Sequence, residues 1–214
     1  MNLLIMGGPG AGKGTMSEKI LKKYNVQHIS TGDIFRNEMA NQTELGILAK
    51  SYIDQGLLVP DDVTNQMVKS YLEKTDLGNG YLLDGYPRTI DQAKAFDEMT
   101  KGTSLAIGRV ISLSIAFEEL AGRVTGRRIC KKCGAIYHVK SHPPKGEGIC
   151  DVCGSELIQR KDDTVESLTV RLDEYRRQTE PVMLYYGNQG LLRSVNANQA
   201  IEDVWKDTQK ALED

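Results

Sequence analysis

The run Gly7-Gly8-Pro9-Gly10-Ala11-Gly12-Lys13-Gly14-Thr15 constrains this chain more than any other feature. It stands between a short apolar stretch at residues 2–6 and a helical pattern at residues 13–24. Glycines let a backbone curl until its N–H groups converge, which makes an anion nest. A helix N-terminus behind the curl adds partial positive charge. The spacing G-x-x-x-x-G-K puts Lys13 where it reaches the outer phosphates of a nucleotide. An ordinary glycine-rich turn would need neither the flanking strand and helix nor a lysine in register. One departure stands out. The general motif has Ser or Thr directly after the lysine as a magnesium ligand, whereas here Gly14 takes that place and Thr15 follows. Magnesium is therefore expected to be held mainly by phosphates and water.

The rest of the chain alternates strand and helix patterns. Strands are expected at residues 2–6, 27–30, 81–84, 109–115 and 191–195. Helices are expected at 13–24, 91–99, 117–127, 165–186 and 199–212, with 34–70 mostly helical and broken at Gly46, Gly56 and Pro60. Such alternation predicts an α/β fold with a five-stranded parallel sheet flanked by helices, binding ligands at the carboxyl ends of its strands. Residues 129–158, rich in Gly, Cys and Lys, interrupt the rhythm. With 27 Lys and Arg against 29 Asp and Glu, the net charge of −2 argues against a nucleic-acid partner. No apolar run approaches the ~20 residues of a membrane span, so no membrane partner is expected. The opening residues have no basic segment and their apolar run stops at Met6, so no secretory signal and a cytoplasmic location are expected.

Charge is unevenly placed: seven of the eleven arginines lie between Arg123 and Arg177. Arginine suits bidentate contact with phosphate, although a solvated basic face gives the same count. All four cysteines are confined as well. Cys130-x-x-Cys133 and Cys150-x-x-Cys153 are separated by 16 residues, a spacing that suits one tetrahedral zinc ion. Two disulfides or free core thiols are the alternatives, and a reducing compartment disfavours the first. Four filled positions make a closed, structural site with no vacancy for chemistry. Lys131, Lys132, Lys140 and Lys145 would offset the thiolate charge, and His138 and His142 read as exposed neighbours.

Three further motifs follow the glycine run in order: Ser30-Thr-Gly-Asp-Ile-Phe-Arg36, Leu82-Leu-Asp-Gly-Tyr-Pro-Arg-Thr89 and Gly122-Arg-Val-Thr-Gly-Arg-Arg128. The set resembles the adenylate kinases, in the bacterial form whose long lid carries a four-cysteine insert. That resemblance covers essentially the whole chain. It implies the P-loop nucleoside monophosphate kinase fold with two mobile arms, working as a monomer on ATP, AMP and ADP with Mg²⁺ and a structural Zn²⁺. The implied division is a core of residues 1–29, 60–126 and 161–214, an NMP-binding arm of 30–59 and a lid of 127–160.

The resemblance also implies roles. Gly10, Ala11, Gly12, Lys13, Gly14 and Thr15 would cradle ATP, with Arg127, Ile136, Tyr137 and Gln199 around its other end. Thr31, Arg36, Leu57, Leu58, Val59, Gly85, Tyr86, Pro87 and Gln92 would hold AMP. Arg88 would bind the AMP phosphate and then the group in flight, with Arg123, Arg127, Arg160 and Arg171 closing on the phosphates. Asp84, at a strand's carboxyl end, would hold a magnesium-bound water, although a turn-forming Asp is the plainer reading. Arg123 and Arg127, four apart, are expected on one helical face. Asp162 and Asp163 match lid-hinge positions, or form an exposed acidic pair. Arg128, Arg176 and Arg177 read as surface residues. Three rivals differ in class or base. Another nucleoside monophosphate kinase would share the motifs. A nucleic-acid module could use the cysteine ribbon but would not need the glycine loop. A GTPase-like switch would need Ser or Thr after Lys13 and an N-K-x-D segment, and has neither.

Overall fold

The computed structural model describes residues 1–213, so position 214, the last of the expected core, lies outside the described residues. Five parallel strands run in the order β2-β3-β1-β4-β8. They are β1 (Asn2–Gly7), β2 (Gln27–Ser30), β3 (Tyr81–Asp84), β4 (Arg109–Ser114) and β8 (Leu192–Asn196). Every strand of the expected sheet is present, and the register pairs Leu4 with both Leu83 and Val110. β1 is apolar without alternation because both of its faces are covered. Leu3 and Ile5 pack with Met16 and Ile20 of α1 (Lys13–Tyr24) and with Val204 and Leu212 of α9 (Ile201–Glu213). Leu4 and Met6 face the opposite layer. It is built from α4 (Asp61–Lys74), α5 (Ile90–Thr100) and α8 (Glu180–Asn188), with Val68, Leu72, Phe96, Val182 and Tyr186 at its centre.

Two excursions leave this core. The first holds α2 (Thr31–Ala40) and α3 (Glu44–Ile53), gathered on Phe35, Ala49 and Val59. Breaks occur at Gly56 and Pro60 as expected, but the break placed at Gly46 falls instead at residues 41–43. Gln42 adopts φ 54° there, and the Thr43 hydroxyl accepts the Gly46 N–H to start α3. Gly46 lies inside the helix because α3 presses on α2: a Cβ at this position would come 2.1 Å from the Glu38 carbonyl oxygen. A glycine demanded by close approach reads in sequence like a glycine that ends a helix.

The second excursion leaves α6 (Phe117–Thr125) for an antiparallel sheet ordered β6-β5-β7. Its strands are β5 (Arg127–Cys130), β6 (Ile136–His138) and β7 (Leu157–Ile158). The helix ends two residues earlier than the sequence pattern suggests, so Arg127 sits in β5 and shares no helical face with Arg123. The basic residues of Gly-Arg-Arg extend helical periodicity, but pairing of Arg127 with His138 claims them for the sheet. This sheet's own core is small: Cys130, Ala135, Tyr137, Cys150 and Leu157. So few buried groups cannot by themselves fix a fold, and a staple is needed. The chain returns through α7 (Val165–Glu174), which runs into α8 through a wider turn, Tyr175–Thr179, with π-type bonding. No helix among the described residues is long and apolar enough to cross a membrane.

Candidate active site

The glycine run sits at the carboxyl end of β1, between the ends of β3 and β4. Gly12 stands at the N-terminus of α1 with φ 98°, a left-handed conformation that side chains disfavour. Without a side-chain cap there, the first N–H groups of α1 are free to meet an anion. Lys13 Nζ donates to the carbonyls of Gly7 (2.8 Å) and Gly8 (3.1 Å), folding back over the loop. Burial pulls its pKa down to about 8, resisted by the Asp84 carboxylate and reinforced by the charges of Arg88, Arg171 and Arg127. An ammonium in that condition is stabilised by any anion that arrives. A cleft opens here, lined by Gly7, Pro9, Lys13, Gly85, Arg88 and Arg171 among others.

Arg88 is fixed from several sides. Its N–H donates to Gln92 Oε1 at 2.7 Å, its Nε donates to the Gly85 carbonyl at 2.8 Å, and its carbonyl accepts the Thr179 hydroxyl at 2.9 Å. Burial, with Arg171 nearby, lowers its pKa to about 10. A guanidinium keeps its proton at neutrality, so the shift measures unsatisfied positive potential. Thr31, buried at the start of α2, donates to the Gly85 carbonyl at 2.9 Å and so ties the first excursion to the Arg88 turn. Tyr86 is buried, with its hydroxyl donating to Asn65 Oδ1 at 2.6 Å and lying 3.2 Å from the Gln92 carbonyl. Pro87 completes the turn and also lines the cleft, as does Leu58. Leu57 is exposed, whereas the Val59 side chain is spent in the α2–α3 core, leaving only its main chain to a ligand.

The other arginines of the expected site come from α2, α6, β5, α7 and the segment before α7, four of them with aspartates beside them. Arg127 of β5 makes a two-point pair with Asp163, a residue only 1% exposed. Arg171 of α7 pairs with Asp162 at 2.9 Å, and Arg36 of α2 with Asp33 at 2.5 Å. Arg160 lies 3.8 Å from the same Asp33, so the lid side and the α2 side meet across the cleft. Burial pushes Asp33 and Asp162 up, but the Arg36 and Arg171 guanidiniums outweigh it and hold both below the ordinary carboxylate range. Asp162 and Asp163 are therefore not an exposed acidic pair. Arg123 donates to the Ala197 carbonyl at 2.8 Å, with its guanidinium about 4 Å from where a Gly12 Cβ would stand. Ile136 reaches over Gly14 from the lid: a Cβ on that glycine would lie 2.4 Å from its Cδ1. Gly10 and Ala11 continue the loop, Thr15 is half-buried on α1, and Gln199 is half-buried, donating to Asp207 at 2.6 Å.

Tyr137 is placed differently from a nucleotide-facing side chain. It is buried in the lid core, its hydroxyl contacts Cys150 Sγ and accepts the Asp151 N–H at 2.8 Å. Only its main chain is left for a nucleotide. His138 is not an exposed neighbour either. Its Nδ1 accepts the Lys140 and Ser141 N–H groups, so Nε2 carries the proton and donates to the Gly122 carbonyl at 3.0 Å, tying β6 to α6. His142 is exposed and stacks on the Tyr137 ring. Two residues that sequence reasoning passed over hold the Arg88 turn: Thr179, and Asp61 at the start of α4. The one available signal was Thr89-x-x-Gln92, a capping-box spacing.

The four cysteine sulfurs lie within 4.8 Å of one another, with Cys130–Cys153 at 3.4 Å and Cys133–Cys150 at 3.5 Å. None is in a disulfide. A tetrahedral zinc with bonds near 2.3 Å needs sulfurs about 3.8 Å apart, so the cluster fits that ion.

Comparison with known proteins agrees with this arrangement. The family model described as adenylate kinase matches residues 5–191. An adenylate kinase from Carboxydothermus hydrogenoformans is 50% identical over 213 residues, covering 100% of both chains. One from Caldanaerobacter subterraneus subsp. tengcongensis is 50% identical over 212 residues, 99% of this chain and 96% of its own. One from Streptococcus thermophilus is 52% identical over 214 residues, 99% and 98% respectively. A glycine nest with its lysine, an arginine turn on the neighbouring strand, a cysteine-clustered lid and a match of this extent together place the chain in the adenylate kinase family.

Proposed function

We propose that the chain transfers the terminal phosphoryl group of ATP to AMP, reversibly giving two ADP. The observation that carries this reading is the convergence of Lys13, Arg88 and Arg171 on one cleft at the glycine loop. An AMP phosphate oxygen forms the new bond to the γ-phosphorus as the bond from that phosphorus to the β–γ bridging oxygen breaks. The electron pair leaves with ADP. No protein base or nucleophile is required, because the acceptor oxygen is already an anion. The protein supplies in-line placement and positive charge. In this reading the main-chain N–H groups of residues 10–15 and Lys13 hold the ATP phosphates. Arg36 and Arg88 hold the AMP phosphate, and Arg123, Arg127, Arg160 and Arg171 neutralise charge on the group in transit. Water must be excluded, or ATP would be hydrolysed. Contacts of Ile136 with the Gly14 position and of Arg160 with Asp33 support closure of both excursions over the core. Magnesium, when bound, would neutralise charge on the ATP oxygens, and Asp84 at the end of β3 would hold one of its waters. Thr31, Gly85, the main chain of 57–59 and Gln92 are assigned to AMP, and Gln199 and the main chain at Tyr137 to ATP.

The four cysteines hold zinc in this reading, and the ion folds and stiffens the lid without taking part in the reaction. A reducing cytoplasm keeps those thiols available, and the chain acts as a monomer. The test is an acceptor panel. With Mg²⁺ and ATP, AMP should be phosphorylated far faster than GMP, CMP or UMP. Equal rates would overturn the base assignment and favour a different nucleoside monophosphate kinase.

A further inference from the structure

We infer that Asp61 sets the base preference of the acceptor site by locking the orientation of the Gln92 side-chain amide; the inference rests on the reading that Gln92 faces the acceptor base. Gln92 is 2% exposed, and two partners of opposite character grip its amide. On one side the Arg88 N–H, which can only donate, meets Oε1 at 2.7 Å. On the other, Asp61 Oδ1, which can only accept, meets Nε2 at 2.7 Å. Only one of the two amide orientations satisfies both. Asp61 is locked in turn: its Oδ2 accepts the Thr89 hydroxyl at 2.6 Å. That hydroxyl already accepts the Gln92 N–H at 3.1 Å, so its proton must point at Asp61.

After these bonds the amide keeps one lone pair on Oε1 and one N–H on Nε2. A 6-aminopurine matches that pair, giving its amino proton to Oε1 and taking the Nε2 proton on N1. A 6-oxopurine has the reverse pattern at both atoms, and it would be accommodated only by a flipped amide. Flipping sets N–H against the Arg88 N–H and oxygen against carboxylate, leaving two buried pairs unmade. Asp61, at the point where the α2–α3 excursion rejoins the core, is thus a positioning residue that discriminates against 6-oxopurines without touching the base.

The test is Asp61→Asn, which keeps the shape but carries a donor. The Asn rotamer that keeps an oxygen on the Thr89 proton turns Nδ2 toward Gln92 and favours the flipped amide against Arg88, whereas the opposite rotamer leaves that proton unpaired. Steady-state kinetics with AMP and with inosine monophosphate should show the ratio of their kcat/KM values falling about tenfold or more, the scale of one buried hydrogen-bond mismatch. Gln92→Ala is measured beside it. An Asp61→Asn ratio equal to that of the parent, while Gln92→Ala collapses it, would overturn the role of Asp61. An unchanged ratio in Gln92→Ala would instead overturn the reading of Gln92. A merely structural role for Asp61 lowers both substrates alike and leaves the ratio fixed, which counts against the proposal. Asp61→Glu, which restores an acceptor, should recover the parent ratio; Asp61→Ala, which removes the acceptor without adding a donor, should also lower it and keeps the test decisive if the Asn variant folds poorly, an unchanged ratio in it overturning the role of Asp61.

Discussion

Lys13→Met should make the nucleotide-free protein more stable while abolishing turnover. Burial lowers the Lys13 ammonium from 10.5 to about 8. At about 1.4 kcal/mol per tenfold, holding that charge costs the folded chain about 3 kcal/mol at pH 7. Methionine has a similar length and no charge. Against the gain stands the loss of two hydrogen bonds, to the Gly7 and Gly8 carbonyls. At about 0.5–1.5 kcal/mol each, they reduce the net stabilisation to between about 0 and 2 kcal/mol. The sign of the pH dependence isolates the charge. Between pH 8 and 10.5 the unfolded chain binds more protons at this lysine than the folded one, so the parent gains stability as pH rises through that window. The variant's advantage should therefore shrink by about 2 kcal/mol between pH 7 and pH 9.5. Urea unfolding of both proteins at the two pH values, without nucleotide, measures it. A difference between the two proteins that does not change with pH would refute the idea that the loop stores an unfavourable charge for its ligand.

Arg88→Ala removes a guanidinium whose Nε donates to the Gly85 carbonyl, while the backbone bonds to Gln92 and Thr179 remain, and should cost about 10²-fold or more in turnover, the usual scale for a lost charge stabiliser. Near-parental kcat in steady-state assays would remove Arg88 from the site. Elemental analysis of protein purified without chelator should give about one zinc per chain, and chelation should make residues 127–160 protease-sensitive before the parallel sheet unfolds. Absence of metal, or a chelated lid as resistant as before, would contradict the assignment of the cysteines.

The parallel sheet was legible because strands buried on both faces write themselves as short apolar runs, such as residues 2–6 and 81–84. The glycine loop was legible because its chemistry is local in sequence. What escaped depends on contacts between distant segments. Gly46 looked like a helix breaker until Glu38 was seen against it. Arg127 looked helical until β6 paired with it. Tyr137 reads in sequence as an ATP contact and His138 as an exposed lid residue, but the antiparallel sheet turns one onto Cys150 and the other onto the Gly122 carbonyl. Asp61 and Thr179 carry no motif at all. They matter because α4 and the turn before α8 both end beside Arg88, and that adjacency exists only in the folded chain.

The central claim is that main-chain amides and cationic side chains close around two nucleotides placed phosphate to phosphate. Its most direct test is a crystal structure with a mimic in which two adenosines are joined through a chain of phosphates. The account predicts phosphate oxygens against the N–H groups of residues 10–15 and Lys13 Nζ, with the Arg88 and Arg171 guanidiniums on the phosphates between the two ends. A glycine loop empty of phosphate, or those guanidiniums turned to solvent in the liganded protein, would contradict it.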